Sequence, residues 1–114
     1  MKTVKSVGRQ GEILFIKINK VPAGVTELPA SKEGHIVGHS ETGHHHVIDD
    51  KIGEVHHYAS ANPLLGYLSV DGASADVVHL RSFDTHETLR LGSGAWEIRR
   101  QREHTPEGWR QVAD

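Results

Sequence analysis

The 114-residue chain has no cysteine and few aromatic residues, with two each of Trp, Tyr and Phe. Without cysteine, disulfide frameworks and Cys-ligated zinc fingers are excluded. No apolar run reaches the roughly 18 to 20 residues that span a bilayer, and no apolar stretch typical of a signal peptide follows Met1 to Lys5. We therefore expect a cytoplasmic protein with no membrane partner.

Neither sign of charge dominates, since 13 Lys and Arg stand against 15 Asp and Glu. No global field would attract a polyanion. The arginines near the C-terminus, Arg99, Arg100, Arg102 and Arg110, are interleaved with Glu97, Glu103 and Glu107 and make no single stripe. Nucleic acid is therefore not an expected partner.

Histidine is abundant instead, with ten copies in the chain. They do not form a terminal tag, because they recur at His35, His39, His44, His45, His46, His56, His57, His79, His86 and His104. This spread is more typical of a folded site than of a purification remnant.

Short apolar segments bounded by turn residues recur along the chain, and no helical period of 3.6 is sustained. Residues 11–18 are the most apolar segment and predict a central strand, whereas 25–34 predict a loop. Asp71-Gly72 predicts one hairpin turn, and Gly92 to Gly94 predict a second. This succession of short apolar segments and turns indicates an all-β protein of seven or eight strands.

The length indicates a single domain over residues 1–114, with 1–10 and 105–114 expected at its periphery. So many short strands must protect their edges, which a small barrel or a two-sheet jelly roll achieves. Pairing of copies would also cover edges, so a homo-oligomer is expected.

The triplet of histidines follows Thr42-Gly43 and precedes Val47-Ile48, which indicates that it opens a strand. Side chains alternate along a strand, so His44 and His46 would share one face while His45 and Val47 share the other. Two imidazoles on one face, with a third ligand from elsewhere, would make a divalent-metal site. The alternative is a solvated polar turn that is rich in histidine.

His86 is the preferred third ligand, because it precedes a strand in a polar turn with Glu87 beside it. The alternative for His86 is a solvated connection. His39 and His79 are second choices, and the alternative for His79 is a core position satisfied by a hydrogen bond. Gln101 enters only by analogy with metal sites that combine His and Gln. One residue of His56-His57 could face the same interior.

The pair His44-x-His46, with a further His on a later strand, is similar to the metal motif of cupins. That resemblance implies a cupin-like barrel with the metal inside it. The chain departs from the cupin pattern at Val47 to Asp50, where the usual Glu is missing, and it lacks the later glycine-and-proline motif.

A second resemblance covers more of the chain. The segments Thr42 to His46, Thr85 to Glu87, Leu91 to Glu103 and Pro106 to Arg110 resemble a group of small uncharacterised bacterial and phage-associated proteins. An aromatic residue commonly follows Gln-Arg-Glu in that group, where this chain has His104. The resemblance implies matching positions and no activity.

Two classes of function remain open. A His-bound Zn, Fe, Mn or Ni ion with an open coordination position could activate water or bind a small-molecule ligand, as in a metalloenzyme. In a non-enzymatic binding or assembly module, the histidines would be structural or interface groups, with Trp96 in the core and Trp109 at an interface. No nucleophile elbow, phosphate loop or carboxylate pair assigns a catalytic residue.

Overall fold

The computed structural model describes residues 1–32, 34–38, 46–48, 54–79, 87–100, 102–105 and 108–111, without the side chains of 79 and of 102–111. These ranges contain eleven strands and no helix: β1 (Lys2–Val4), β2 (Val7–Gln10), β3 (Ile13–Ile18), β4 (Thr26–Leu28), β5 (His35–Gly38), β6 (His46–Ile48), β7 (Val55–Ala59), β8 (Leu65–His79), β9 (Leu89–Arg100), β10 (Arg102–Thr105) and β11 (Gly108–Gln111). The predicted all-β class is confirmed.

Nine strands form one sheet, in the order β2-β3-β9-β8-β6-β5. Strand β1 is added in parallel to the first part of β9, while β7 pairs with the first part of β8 and carries β4 on its far side. Apart from the parallel β1–β9 pair, all pairings in this sheet are antiparallel, including those of β7 with β8 and with β4. Strands β10 and β11 make a separate two-stranded hairpin.

The long antiparallel pair β8–β9 replaces the two hairpins that the sequence predicts. Asp71-Gly72 lies inside β8 and Gly92 to Gly94 lie inside β9, so both predicted turns were wrong. The two irregular stretches face each other, because Val70 pairs with Gly94 and Ser74 with Gly92, and the register shifts between them. Glycine-containing irregularities of this kind bend a strand without ending it.

The two parts of the bent β8–β9 pair are hydrogen-bonded to different neighbouring strands. The first part of β8 pairs with β7 and the last part with β6, while β9 pairs first with β1 and then with β3. Alternate residues of these strands point inward and make one core. Its largest fully buried apolar side chains are Trp96, Phe15, Ile13, Ile48, Leu68, Leu89, Leu91 and Ile98.

The two ends of the sheet, β2–β3 and β5, approach each other through side chains. A Cβ atom added at Gly38 of β5 would lie only 2.1 Å from Cδ1 of Ile13 in β3. Nearby, Arg100 Nε donates a hydrogen bond of 2.7 Å to the carbonyl of Val37. These contacts indicate that the sheet curls around its core. Because the described residues form no β2–β5 ladder, a cupin-like barrel is not established.

The 25–34 segment differs from expectation, and both ends of the chain contain strands. Residues 1–10, expected at the periphery, supply β1 and β2 and bury Gln10, while Thr26 to Leu28 form a strand within the predicted loop. At the other end, 102–111 contain a β-hairpin in which His104 lies opposite Trp109. No helix of the described residues is long and apolar enough to cross a membrane.

Candidate functional site

In the part of the chain whose side chains are described, five polar or ionisable residues are buried: Gln10, Glu12, His35, His46 and His57. Burying such groups is unfavourable unless they find hydrogen-bond or charge partners. A small domain that retains five of them is therefore a candidate for a site built inside the core. They form two groups, one around His46 and one around His57.

His46 is the first residue of β6, and its side chain is completely buried. Its Nδ1 lies 2.8 Å from Oε1 of Gln10. An amide oxygen can only accept a hydrogen bond, so Nδ1 of His46 carries the hydrogen and donates it. The other ring nitrogen, Nε2, is left facing Glu12.

The orientation of Gln10 is fixed by its amide nitrogen. Nε2 of Gln10 donates to the carbonyl of Val77 at 3.0 Å and to the carbonyl of Glu87 at 2.9 Å. Both donor hydrogens are thus used near the end of the β8–β9 pair, and Oε1 must point towards His46. A group that accepts from one imidazole nitrogen and so orients the ring is the usual companion of a metal-ligating histidine.

Glu12 reaches the same place from the turn between β2 and β3. Gly11 has a φ of 60°, the positive value required at the first central residue of a tight type II′ turn, and Glu12 is the second central residue. Oε2 of Glu12 lies 3.7 Å from Nε2 of His46. Both carboxylate oxygens are buried and have no hydrogen-bond partner among the described residues.

The distance between Nε2 of His46 and Oε2 of Glu12 is close to that expected for two ligands of one metal ion. Zinc lies about 2.0–2.1 Å from a histidine nitrogen and about 2.0–2.2 Å from a carboxylate oxygen, which places two such ligands roughly 3.3 Å apart at a tetrahedral angle. The observed 3.7 Å corresponds to a somewhat wider angle. A proton on Nε2 shared with Glu12 would also be favourable here.

Gly38 provides the space in which the His46 ring lies. A Cβ atom at position 38 would be 3.3 Å from Cδ2 of His46, as well as colliding with Ile13. The φ of Gly38 is not positive, so the glycine is required by close packing rather than by backbone conformation. A side chain at position 38 would therefore crowd both the His46 ring and Ile13.

The second group contains His35, His57 and Arg100. The rings of His35 and His57 meet edge to face, with centroids 6.0 Å apart and planes at 85°. Burial, with smaller effects of the positive Arg100 and of His35, lowers the pKa of His57 to about 4. His57 is therefore neutral at pH 7, and its buried Nε2 has no hydrogen-bond partner among the described residues.

The structure describes only some of the residues predicted as ligands. His46, Val47 and Ile48 of β6 are all buried, so the predicted division of the histidine triplet between two strand faces stays a prediction. His39, His44, His45, His86 and Gln101 lie outside the described residues. The backbone of His79 pairs with that of His46 in the β6–β8 ladder.

Gln10 and Glu12 are the site residues that the sequence analysis missed. Their signal is weak: two polar residues stand beside a glycine immediately before the most apolar strand. Within the described parts of the chain, no three His, Asp or Glu side chains are grouped closely enough to hold one metal ion. The described residues therefore supply a pair of potential ligands, His46 and Glu12.

A family model for a domain of unknown function, DUF8820, matches residues 9–101. The chain belongs to this family. The match includes Gln10, Glu12 and His46, so the buried group lies within the family domain. No curated protein and no solved structure matches the chain. The family has no assigned activity, which agrees with the expected resemblance to uncharacterised small proteins.

Proposed function

We propose that this protein binds a divalent transition-metal ion between Nε2 of His46 and the carboxylate of Glu12. The observation that carries the proposal is the buried pair itself, with its facing atoms 3.7 Å apart. The hydrogen bond from Nδ1 to Gln10 supports it, because this bond leaves Nε2 directed towards Glu12. A cation between the two would also satisfy a buried carboxylate that lacks hydrogen bonds from the described residues.

Two ligands do not complete a site, and His44 and His86 remain the predicted additional ligands. His39, His79 and Gln101 remain the second choices. A set of imidazole nitrogens with one carboxylate suits Zn, Fe, Mn or Ni, and the sequence does not distinguish among them.

The burial of the pair favours the non-enzymatic form of the proposal. His46 has no exposed surface and Glu12 is only 4% exposed. A closed site is typical of a structural metal, whereas a catalytic metal keeps a position open to water or substrate. We propose that the ion stabilises the contact between β6 and the β2–β3 turn, and that an enzyme acting on a small molecule is the second possibility.

Four further proposals accompany the metal proposal. We propose a cytoplasmic location, a cupin-like closure of the sheet, relatives of bacterial and phage-associated origin, and assembly as a homo-oligomer. The last is supported by strands at the sheet margins, such as β4, which pairs only with β7 among the described strands. Size measurement in solution tests the oligomer directly.

Metal analysis of tag-free protein tests the central proposal. After reconstitution with Zn, Mn, Fe(II) or Ni and removal of free ion, we expect about one equivalent of one metal in the wild type. His46→Ala and Glu12→Gln should each lose most of it. His56→Gln is the matched control, because it removes a histidine from the outer face of β7 and should retain the metal.

The outcomes separate the two forms of the proposal. Less than a third of an equivalent of every metal in the folded wild type would refute metal binding. If metal binds, loss of metal that lowers the stability or dissociates an oligomer supports the structural form. Exchangeable water or added ligand in the coordination sphere, seen by X-ray absorption or by electron paramagnetic resonance with Mn, supports the enzyme. Parallel analysis of His44→Ala, His45→Ala and His86→Ala tests the remaining ligands.

A further inference from the structure

His56 on the outer face of β7 contacts two carboxylates from the strands on either side. Its Nδ1 lies 2.8 Å from Oε2 of Glu27 in β4, and its Nε2 lies 3.0 Å from Oδ2 of Asp71 in β8. The three side chains form a continuous link across three neighbouring strands. They lie on the opposite face of β7 from the buried His57.

The hydrogen-bond chemistry requires a particular protonation state of His56. An ionised carboxylate only accepts hydrogen bonds, so each ring nitrogen must donate. Only the imidazolium carries hydrogen on both nitrogens, whereas neutral imidazole has one. Loss of a single proton must therefore break one of the two contacts.

We propose that Glu27, His56 and Asp71 form a proton-dependent clamp that holds the marginal strand β4 on the sheet. Strand β4 has only three residues and pairs with β7 alone among the described strands. Short strands at a sheet margin have little backbone pairing to hold them, so a charged link between side chains is a substantial part of the attachment. The clamp is independent of the proposed metal function.

The charges around His56 favour its protonated form. Hydrogen bonding to Glu27 is the largest influence on the pKa of His56 and raises it, burial comes second and lowers it, and the charges of Asp71 and Glu27 and the hydrogen bond to Asp71 raise it further, so that the net shift is upward. Tyr58 lies opposite Glu27 in the β4–β7 ladder and is neutral at pH 7, with a pKa raised chiefly by burial.

Other groups on the neighbouring elements complete the electrostatic setting. Ser69 lies opposite His56 and donates to Oδ1 of Asp71 at 3.1 Å, which holds that carboxylate in place. Glu54 precedes β7 and adds negative charge. Lys20 lines the same cleft as Asp71, and Lys17 binds the carbonyl of Ser93 in its lining, so both add positive charge on that side.

One residue of the clamp, Asp71, also lines a cleft. Asp71 and Tyr58 line an open space of about 490 Å³ between residues 19–21 and the outer face of β8 and β9. Deprotonation of His56 removes a positive charge next to Asp71 and breaks one of the two carboxylate contacts. Even if the hydrogen bond to Glu27 is the one that is kept, it becomes weaker, because the ring that donates it is no longer charged. The proton on His56 thus controls both the attachment of β4 and the charge of the cleft.

Histidine titration by NMR tests the protonation part of the proposal. In the wild type, we expect the pKa of His56 to lie above the ordinary value of about 6.5, and both ring nitrogens to show imidazolium shifts at neutral pH. Glu27→Gln and Asp71→Asn should each lower this pKa. The pKa of His57 is an internal control that should stay near 4 in every variant. A wild-type pKa for His56 at or below 6.5, or one that neither variant changes, would overturn the proposal.

Amide hydrogen exchange tests the attachment of β4. With intrinsic rates corrected for pH, we expect the amides of residues 26–28 to exchange several-fold faster at about pH 9 than at about pH 5, while those of β3 do not. His56→Gln should show the fast rate at both pH values. Equal exchange of β4 in wild type and His56→Gln at low pH would refute the clamp, and the half-exposed position of His56 makes a folding failure of this variant unexpected.

Discussion

The Nδ1 atom of His46 donates a hydrogen bond to Oε1 of Gln10 across 2.8 Å of the protein interior. The two residues belong to β6 and β2, which are not neighbours in the sheet. Since Gln10 also binds the carbonyls of Val77 and Glu87, one amide ties β6 to the end of the β8–β9 pair. Gln10 therefore has a structural role whether or not a metal is present.

Removal of the Gln10 amide should destabilise the protein and weaken metal binding. Gln10→Ala leaves two carbonyls and one ring N–H without their present partner, which should cost about 1–3 kcal/mol of unfolding free energy. If His46 ligates a metal, the affinity should also fall by about 10–100-fold. Urea unfolding and metal titration measure the two effects. Arg9→Ala, at an exposed position of the same strand, is the control and should change stability by less than about 0.5 kcal/mol.

Glu12→Gln should affect the metal-free and metal-loaded proteins differently. Replacement of the buried carboxylate by a neutral amide should leave the metal-free protein equally stable or make it about 1 kcal/mol more stable. With metal present, the variant should gain less stability than the wild type, because binding to the folded state is weaker. Chemical unfolding with and without added ion measures both. An equal loss of stability in both conditions would show that Glu12 acts through a protein contact instead of a metal.

Gly38→Ala should destabilise the protein by about 1–3 kcal/mol through overpacking against Ile13. Ile13→Val removes Cδ1, the atom that the new methyl group would meet, and should cost about 0.5–1.5 kcal/mol by itself. The double variant should be more stable than the sum of the two single changes predicts, as a double-mutant cycle would show. Gly92→Ala is the control, because a Cβ there meets no atom within 4 Å. If the two changes in unfolding free energy add exactly, the new methyl group does not collide with Cδ1 of Ile13.

His57 should make the protein sensitive to acid. Because its pKa is lowered from 6.5 to about 4 in the folded state, the unfolded state binds the proton more readily. The contribution to stability is complete above pH 6.5 and is lost as the pH falls from 6.5 to about 4. At about 1.4 kcal/mol per pKa unit, the loss is roughly 3 kcal/mol.

Unfolding by urea across this pH range measures the effect. His57→Gln should flatten the dependence, relative to its own stability at neutral pH, whereas His56→Gln should leave the loss between pH 6.5 and about 4 in place. An unchanged slope in His57→Gln would assign the acid sensitivity to other groups.

The sequence predicted the all-β class, because short apolar segments bounded by turn residues are a local pattern. The sequence also predicted turns at Asp71-Gly72 and at Gly92 to Gly94, since glycine-rich segments of this kind usually connect two strands. In the fold, each irregular segment faces the other across the β8–β9 ladder, and the pairing resumes beyond it. Local turn preference was overridden by the long-range match between the two strands.

The partners of His46 could not be predicted for a related reason. Gln10 and Glu12 are separated from it by more than thirty positions, and they meet it only because the sheet curls until β5 and β6 approach the β2–β3 turn. A single sequence shows the alternation within each strand but not the curvature of the whole sheet. The alternation of polar and apolar residues near Gly11 therefore carries no indication that two of the polar ones face a histidine.

The bent β8–β9 pair has a consequence for cooperativity. Strands β1, β3, β6 and β7 all attach directly to it, and β2, β4 and β5 attach through one of them. Opening of the β8–β9 ladder would therefore release every other strand of this sheet, whereas a marginal strand such as β4 can open by itself. An ion held at the β6 end should slow the opening of amides throughout β8 and β9, including those beside β7, far from the ion itself.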